Sequence, residues 1–160
     1  MKYTLILILF FSSFLAVAET KLDKMFLYLP DHVIQERLAD QQRFMEYIGS
    51  VKTVLFNELD KGAKDLKFSF SLIVGVRPKN QSKVWLKFID GSFDSKLTSR
   101  ITKAIESIPA PDVIGGVMPF SIAVYSDSST ERFVEPPIHD SWFKNGKGGE
   151  ISELINSAWN

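Results

Sequence analysis

Two histidines, His32 and His139, and the absence of cysteine set the limits on the chemistry this chain can do. A thiol nucleophile is excluded, and a serine triad would have to use one of the two imidazoles. His32 sits at the start of a helical segment, where a histidine is ordinarily a surface residue. His139-Asp140-Ser141 places an imidazole, a carboxylate and a hydroxyl side by side. As a metal site it is short of donors, because such centres commonly need three or four ligands. A turn in which Asp140 bonds nearby backbone groups accounts for the same residues. Asp90, Asp94 and Asp112 flank one helical segment, and nothing in their spacing pairs them across a cleft as glycoside hydrolysis requires. Asp94 is explained as a helix cap. Gly115-Gly116 reads as a turn. Gly146-Lys147-Gly148-Gly149 lacks the glycine-to-lysine spacing and the preceding strand of a phosphate loop. The expectation is a protein without catalytic residues, metal or cofactor.

Large aromatic residues offer a different chemistry, that of binding. Trp85 lies between Val84 and Leu86 on a strand and points to the opposite face, which it shares with Lys87 and Ile89. Packed beneath a helix or the C-terminal tail it is core. Half-exposed it is an anchor for a partner, since tryptophan is enriched at binding hot spots. Trp142-Phe143, in a long polar segment, poses the same alternative. The 13 phenylalanines are mostly core, where large apolar residues normally lie.

These residues need a scaffold, and the periodicity of the chain supplies one. Residues 19–30 include a compact apolar stretch, Met25 to Leu29, that has to pack somewhere. Pro30-Asp31 opens a helix with Asp31 as N-cap. Ile34, Leu38, Met45, Ile48, Leu55 and Leu59 recur along it at helical spacing up to Gly62, with Gly49 as a weak point. Phe68, Phe70, Leu72, Val74 and Val76 alternate with smaller or polar residues, which predicts a strand with one buried face. A polar turn, 78–82, joins it to a second strand carrying Val84, Leu86 and Phe88, so the pair forms an antiparallel hairpin. A second helix spans about Asp94 to Ser107, with Leu97, Ile101 and Ile105 inward, and stops at Pro109 and Pro111. Phe120, Ile122 and Val124 mark a third strand. A long loop, 127–149, and a short helix, 150–159, complete the chain. The expected fold is α+β, order α-β-β-α-β. A small antiparallel sheet packs against two main helices, and Phe70, Leu72, Leu86, Phe88, Leu97, Ile101, Ile105 and Ile122 share one core.

Lys2, an apolar run from Leu5 to Phe11 and the ending Ala16-Val17-Ala18 form the three parts of a secretory signal, cut before Glu19. The stretch Tyr3 to Ala18 is shorter than the roughly 20 residues of a spanning helix. Residues 1–18 are therefore expected to be a signal peptide, and 19–160 one exported domain, periplasmic or secreted, with no stable membrane anchor after cleavage. Lysine plus arginine number 19 and aspartate plus glutamate 19, so no charge excess argues for nucleic acid. A cysteine-free exported domain has to hold together by burial alone.

The stretch from about Leu66 to Ser126 resembles the C-terminal domain of the TonB and TolA energy-transduction proteins. The order hairpin, helix, strand is shared. Ala104-Ile105-Glu106-Ser107-Ile108-Pro109-Ala110-Pro111 is similar to the end of that family's helix. Pro119-Phe120-Ser121-Ile122 is similar to its entry into the last strand. Asp90-Gly91-Ser92 departs from the family's Ser-Ser-Gly-like turn, and no long proline-rich spacer or retained anchor is read here. The resemblance implies the fold and a habit of binding peptides by strand addition, not energy transduction. The expected function is an exported module that binds another envelope or secreted protein. Its candidate surface is an open edge at the third strand, Phe120, Ser121, Ile122, Ala123, Val124 and Tyr125, with Trp85, Trp142 and Phe143 as further contacts. Alternatives are an inhibitor or immunity-like protein acting through the long loop, an envelope hydrolase, and a carrier of a small apolar ligand.

Overall fold

Period-two stretches become strands and period-3.6 stretches become helices, but one strand hides from that rule. In the computed structural model, which describes residues 19–143 and 150–159, strand β1 runs Thr20–Leu27. It is followed by helices α1 (Asp31–Arg37) and α2 (Gln41–Gly62) and the hairpin β2 (Ser69–Arg77) and β3 (Gln81–Asp90). Helix α3 (Ser95–Glu106), strand β4 (Met118–Ser126), a 3-10 turn at Asp140–Phe143 and helix α4 (Ile151–Ser157) complete it. The sheet order is β1-β4-β2-β3, with every neighbouring pair antiparallel. The fold is α+β, as expected, with an additional strand ahead of the helices. The proposed signal segment, 1–18, lies outside the described residues.

The single long helix expected from Pro30 to Gly62 is two. Leu38 leaves the helical path to bridge Val113, and the Ile114 N–H donates to the Arg37 carbonyl at 2.8 Å. Asp40 then starts α2 afresh, accepting the Arg43 N–H at 2.9 Å, which satisfies one of the free first-turn donors. Asp31 is the first residue of α1 rather than its cap, and Pro30 precedes it. The apolar stripe runs across this break, because Ile34 is buried and Leu38 packs on the same core. That continuity is why periodicity alone joins the two helices.

Helices α2 and α3 cover one face of the sheet. Phe70, Leu72, Val74 and Val76 of β2, Phe120, Ile122 and Val124 of β4, and Val84 of β3 meet Phe44, Ile48, Val51, Leu55, Leu97, Ile101 and Ile105 in one core. Leu86 and Phe88 pack against it partly buried. Glu58 of α2 clamps the two helices, accepting from Arg100 on α3 and from Lys61 at 2.8 Å.

The opposite face is also covered, which the expectation of one buried face for β2 does not include. Eight of the nine residues of β2 are buried. Small residues (Ser71, Ser121, Ala123 and Gly75) let the C-terminal tail lie close. A Cβ at Gly75 would stand 3.0 Å from the Trp159 ring. Ile73, Trp85, Val117, Trp142, Leu154 and Ile155 form this second core, joined by Tyr28 and Trp159.

Candidate functional site

The third strand of the sequence reading is β4, and it is not an edge. It pairs with β1 from Leu27↔Phe120 to Thr20↔Ser126, and with β2 from Val76↔Met118 to Ser69↔Tyr125. Both rows of backbone groups are taken, so no extended peptide can add there. Phe120, Ser121, Ile122, Ala123 and Val124 are buried, and Tyr125 is half-buried with the Arg132 guanidinium stacked 3.2 Å from its ring centroid. The expectation fails because the stretch before the first helix is itself a strand and occupies the place beside β4.

Trp85 and Trp142 come together as core rather than as an exposed patch. Their rings meet edge-on with centroids 5.5 Å apart, and Trp159 lies 6.0 Å from Trp85 on the other side. Such edge-to-face contacts suit the ring quadrupole. Trp142 thereby ties the long segment after β4 to the sheet. The Tyr28 hydroxyl helps, donating to the Pro137 carbonyl at 2.6 Å, and burial pushes its pKa up to about 12. The side chain of Phe143 lies outside the described residues.

The acidic and imidazole candidates are each held by local structure. Asp94 caps α3 by accepting the Leu97 N–H at 2.6 Å, and Asp112 accepts the Lys79 N–H at 3.1 Å. The Ser129 hydroxyl donates to Asp90 at 2.7 Å and Lys67 pairs with it at 3.0 Å, so its carboxyl is held below the usual range. Asp140 meets Lys87 at 2.7 Å, and this hydrogen-bonded lysine holds its carboxyl below the usual range. His139 Nδ1 lies 2.8 Å from Ser141 Oγ and 3.2 Å from the Ser141 N–H, the geometry of a short turn. Among the described residues no three acidic or imidazole side chains gather as a metal site would require.

Clefts among the described residues include two at the surface. One of about 400 Å³ lies between α2 and the segment after α3, lined by Arg43, Tyr47, Asn80, Pro109 and Pro111. The other, of about 480 Å³, is bounded by Tyr28, His32, Arg37 and Ile151. Arg37 Nη1 donates to the Val117 carbonyl at 2.6 Å and to Ser152 Oγ at 3.1 Å, and so joins α1 to the tail.

What remains is β1. It is the outermost strand, with β4 as its neighbour among the described residues. Leu22, Met25 and Leu27 stand opposite Val124, Ile122 and Phe120, so they lie on the helix-bearing face and extend its core outward. Neither α2 nor α3 reaches far enough to cover them: they are 42%, 42% and 44% exposed. An extra residue bulges the strand between Leu22 and Lys24.

The chain matches no protein-family model, no curated protein and no solved structure. Function therefore has to be argued from this geometry alone. Sequence reasoning missed Leu22 and Leu27 as surface residues. The available signal was the crowding of large apolar side chains and lysines between Thr20 and Leu29.

Proposed function

We propose that this chain is an exported protein-binding module, similar in kind to the TonB and TolA C-terminal domain but without an energy-transducing anchor. It engages another envelope or secreted protein by strand addition at β1. The observation that carries this reading is that β1 is an edge strand among the described residues, with a half-exposed stripe of Leu22, Met25 and Leu27. An edge strand offers alternate backbone N–H and C=O groups to an added strand, and the apolar stripe supplies side-chain contacts on one face. Export is supported by the charge, apolar run and small-residue ending of residues 1–18. Among the described residues no helix is long and apolar enough to cross a membrane. The long segment after β4 offers less to a partner, because its Trp142 is buried beneath the sheet's second face.

A photo-reactive residue in place of Met25, introduced into the chain in the cells that make it, tests the reading. A discrete adduct is expected from position 25 and none from exposed Lys52 on α2. Equal labelling at both positions, or none at 25, would overturn it.

A further inference from the structure

We infer that the strand added at β1 is the β1 of a second copy of this chain, antiparallel across a two-fold axis between Asp23 and Lys24. The inference rests on the reading of β1 as a binding edge and adds the identity of the occupant. Its basis is that the strand is complementary to itself. In this register Leu22 faces Met25 of the second copy, Asp23 faces Lys24, Lys21 faces Phe26 and Thr20 faces Leu27.

Three features on the strand favour that match. First, the bulge places Leu22, Met25 and Leu27 on one face despite their uneven spacing. Two such trios, brought edge to edge, merge into one apolar band beside the two cores and cover what α2 leaves bare. Second, among the described residues the charges at the axis have no ion-pair partner within their own chain. Lys21 pairs with Asp127 at 2.7 Å, but neither Asp23 nor Lys24 makes an ion pair among the described residues. Lys24 has only the Phe26 ring, 6.0 Å from its ammonium. Asp23 is half-buried beside the bulge. The two-fold places each of these carboxylates opposite a lysine, twice over. Third, lysines and a bulge ordinarily keep an edge strand single. Here an acid adjoins the lysine, so each charge meets its opposite when the strand lies antiparallel to its own copy. The product joins two four-stranded sheets into one.

Sedimentation equilibrium on the protein purified after expression of the full chain tests the inference. The wild type is expected to pass from one to two chain masses as concentration rises. Asp23→Lys or Lys24→Asp alone sets like charges opposite each other at both symmetry-related positions. Each is expected to weaken the dimer about tenfold or more. Asp23→Lys combined with Lys24→Asp restores opposite charges and is expected to recover dimerisation. Recovery in the double variant also shows that the single changes do not act by unfolding. A wild type that stays monomeric at the highest soluble concentration overturns the inference. So does a dimer insensitive to both single reversals, or one that the double variant does not restore. A monomer whose position 25 still labels a different protein would defeat the second-copy inference and leave the binding edge standing. A monomer without any adduct defeats both.

Discussion

The two edges of the sheet are built in opposite ways. At β3 the fold covers the edge at several points. Glu106 of α3 accepts the Val84 N–H at 3.0 Å, so at least one backbone donor already has a partner. Lys83 donates to the carbonyls of Ala158 and Trp159, at 3.0 and 2.6 Å, and Lys87 binds Asp140. Helix α3 lies over one face of β3, while Trp85 on the other face is buried beneath the tail. At β1 no such cover is present among the described residues: the helix-side stripe is nearly half exposed. Edge strands are a hazard that proteins seal when they serve no purpose. Here one edge is covered at several points through Glu106, Lys83 and Lys87, and the other keeps a half-exposed apolar stripe.

This comparison can be broken at several points. The largest effect is expected from Trp142→Ala, which removes the centre of the tail layer over Trp85. Loss of a buried tryptophan should cost about 3–5 kcal/mol in urea unfolding, and a near-neutral result would mean that the tail does not seal the β3 side. Next comes Glu58→Gln, which loosens α3 from α2. Two of its charged hydrogen bonds go to partly exposed partners, so about 1–2 kcal/mol is expected. The Lys61 hydrogen bond first, and Arg100 after it, hold the Glu58 carboxyl below the usual range. Its folded pKa thus lies below its unfolded one. The stabilisation is present above the ordinary carboxylate range and is lost as pH falls through the lowered folded value. The wild-type advantage over Glu58→Gln should shrink to nothing on acidification, and a gap that persists in acid would point to packing instead.

Glu106→Ala sharpens the contrast further, since it strips the acceptor from the Val84 amide. About 1 kcal/mol is expected, along with faster exchange of that one amide. Leu27→Ser should do least to stability, within about 0.5 kcal/mol, because nearly half of the residue is already in water. It should nevertheless reduce adduct formation at position 25. A large loss of stability there would show that β1 is packed more tightly than its exposure indicates.

Much of this fold is legible in the chain, and the failures share one cause. Periodicity finds β2, β3, α3 and β4 because each keeps a regular step along its length. It misses β1 because the bulge at Asp23 separates Leu22 from Met25 by three residues, and the alternation breaks. It fuses α1 with α2 because Leu38 continues the apolar stripe through the turn. Strand order is not written in periodicity at all, so β4 reads equally well as edge or centre. Ser71, Ser121 and Ala123 look like a solvent face by composition, yet their small size is what admits the tail. Trp85 beneath the tail was one of two open alternatives, and only the meeting with Trp142 decides it. The candidate site depended on strand order, and it moved from Phe120–Tyr125 to the neighbouring Thr20–Leu27.

Residue-resolved amide hydrogen exchange on the dilute protein tests the asymmetry of the two edges most directly. The β1 amides that do not bond to β4 should exchange at nearly unprotected rates, while Val84 on β3 stays protected by Glu106. Raising the concentration should slow the β1 amides selectively. Outward β1 amides as protected as those of β3 in the dilute monomer, or no change at β1 at any concentration, would contradict the account.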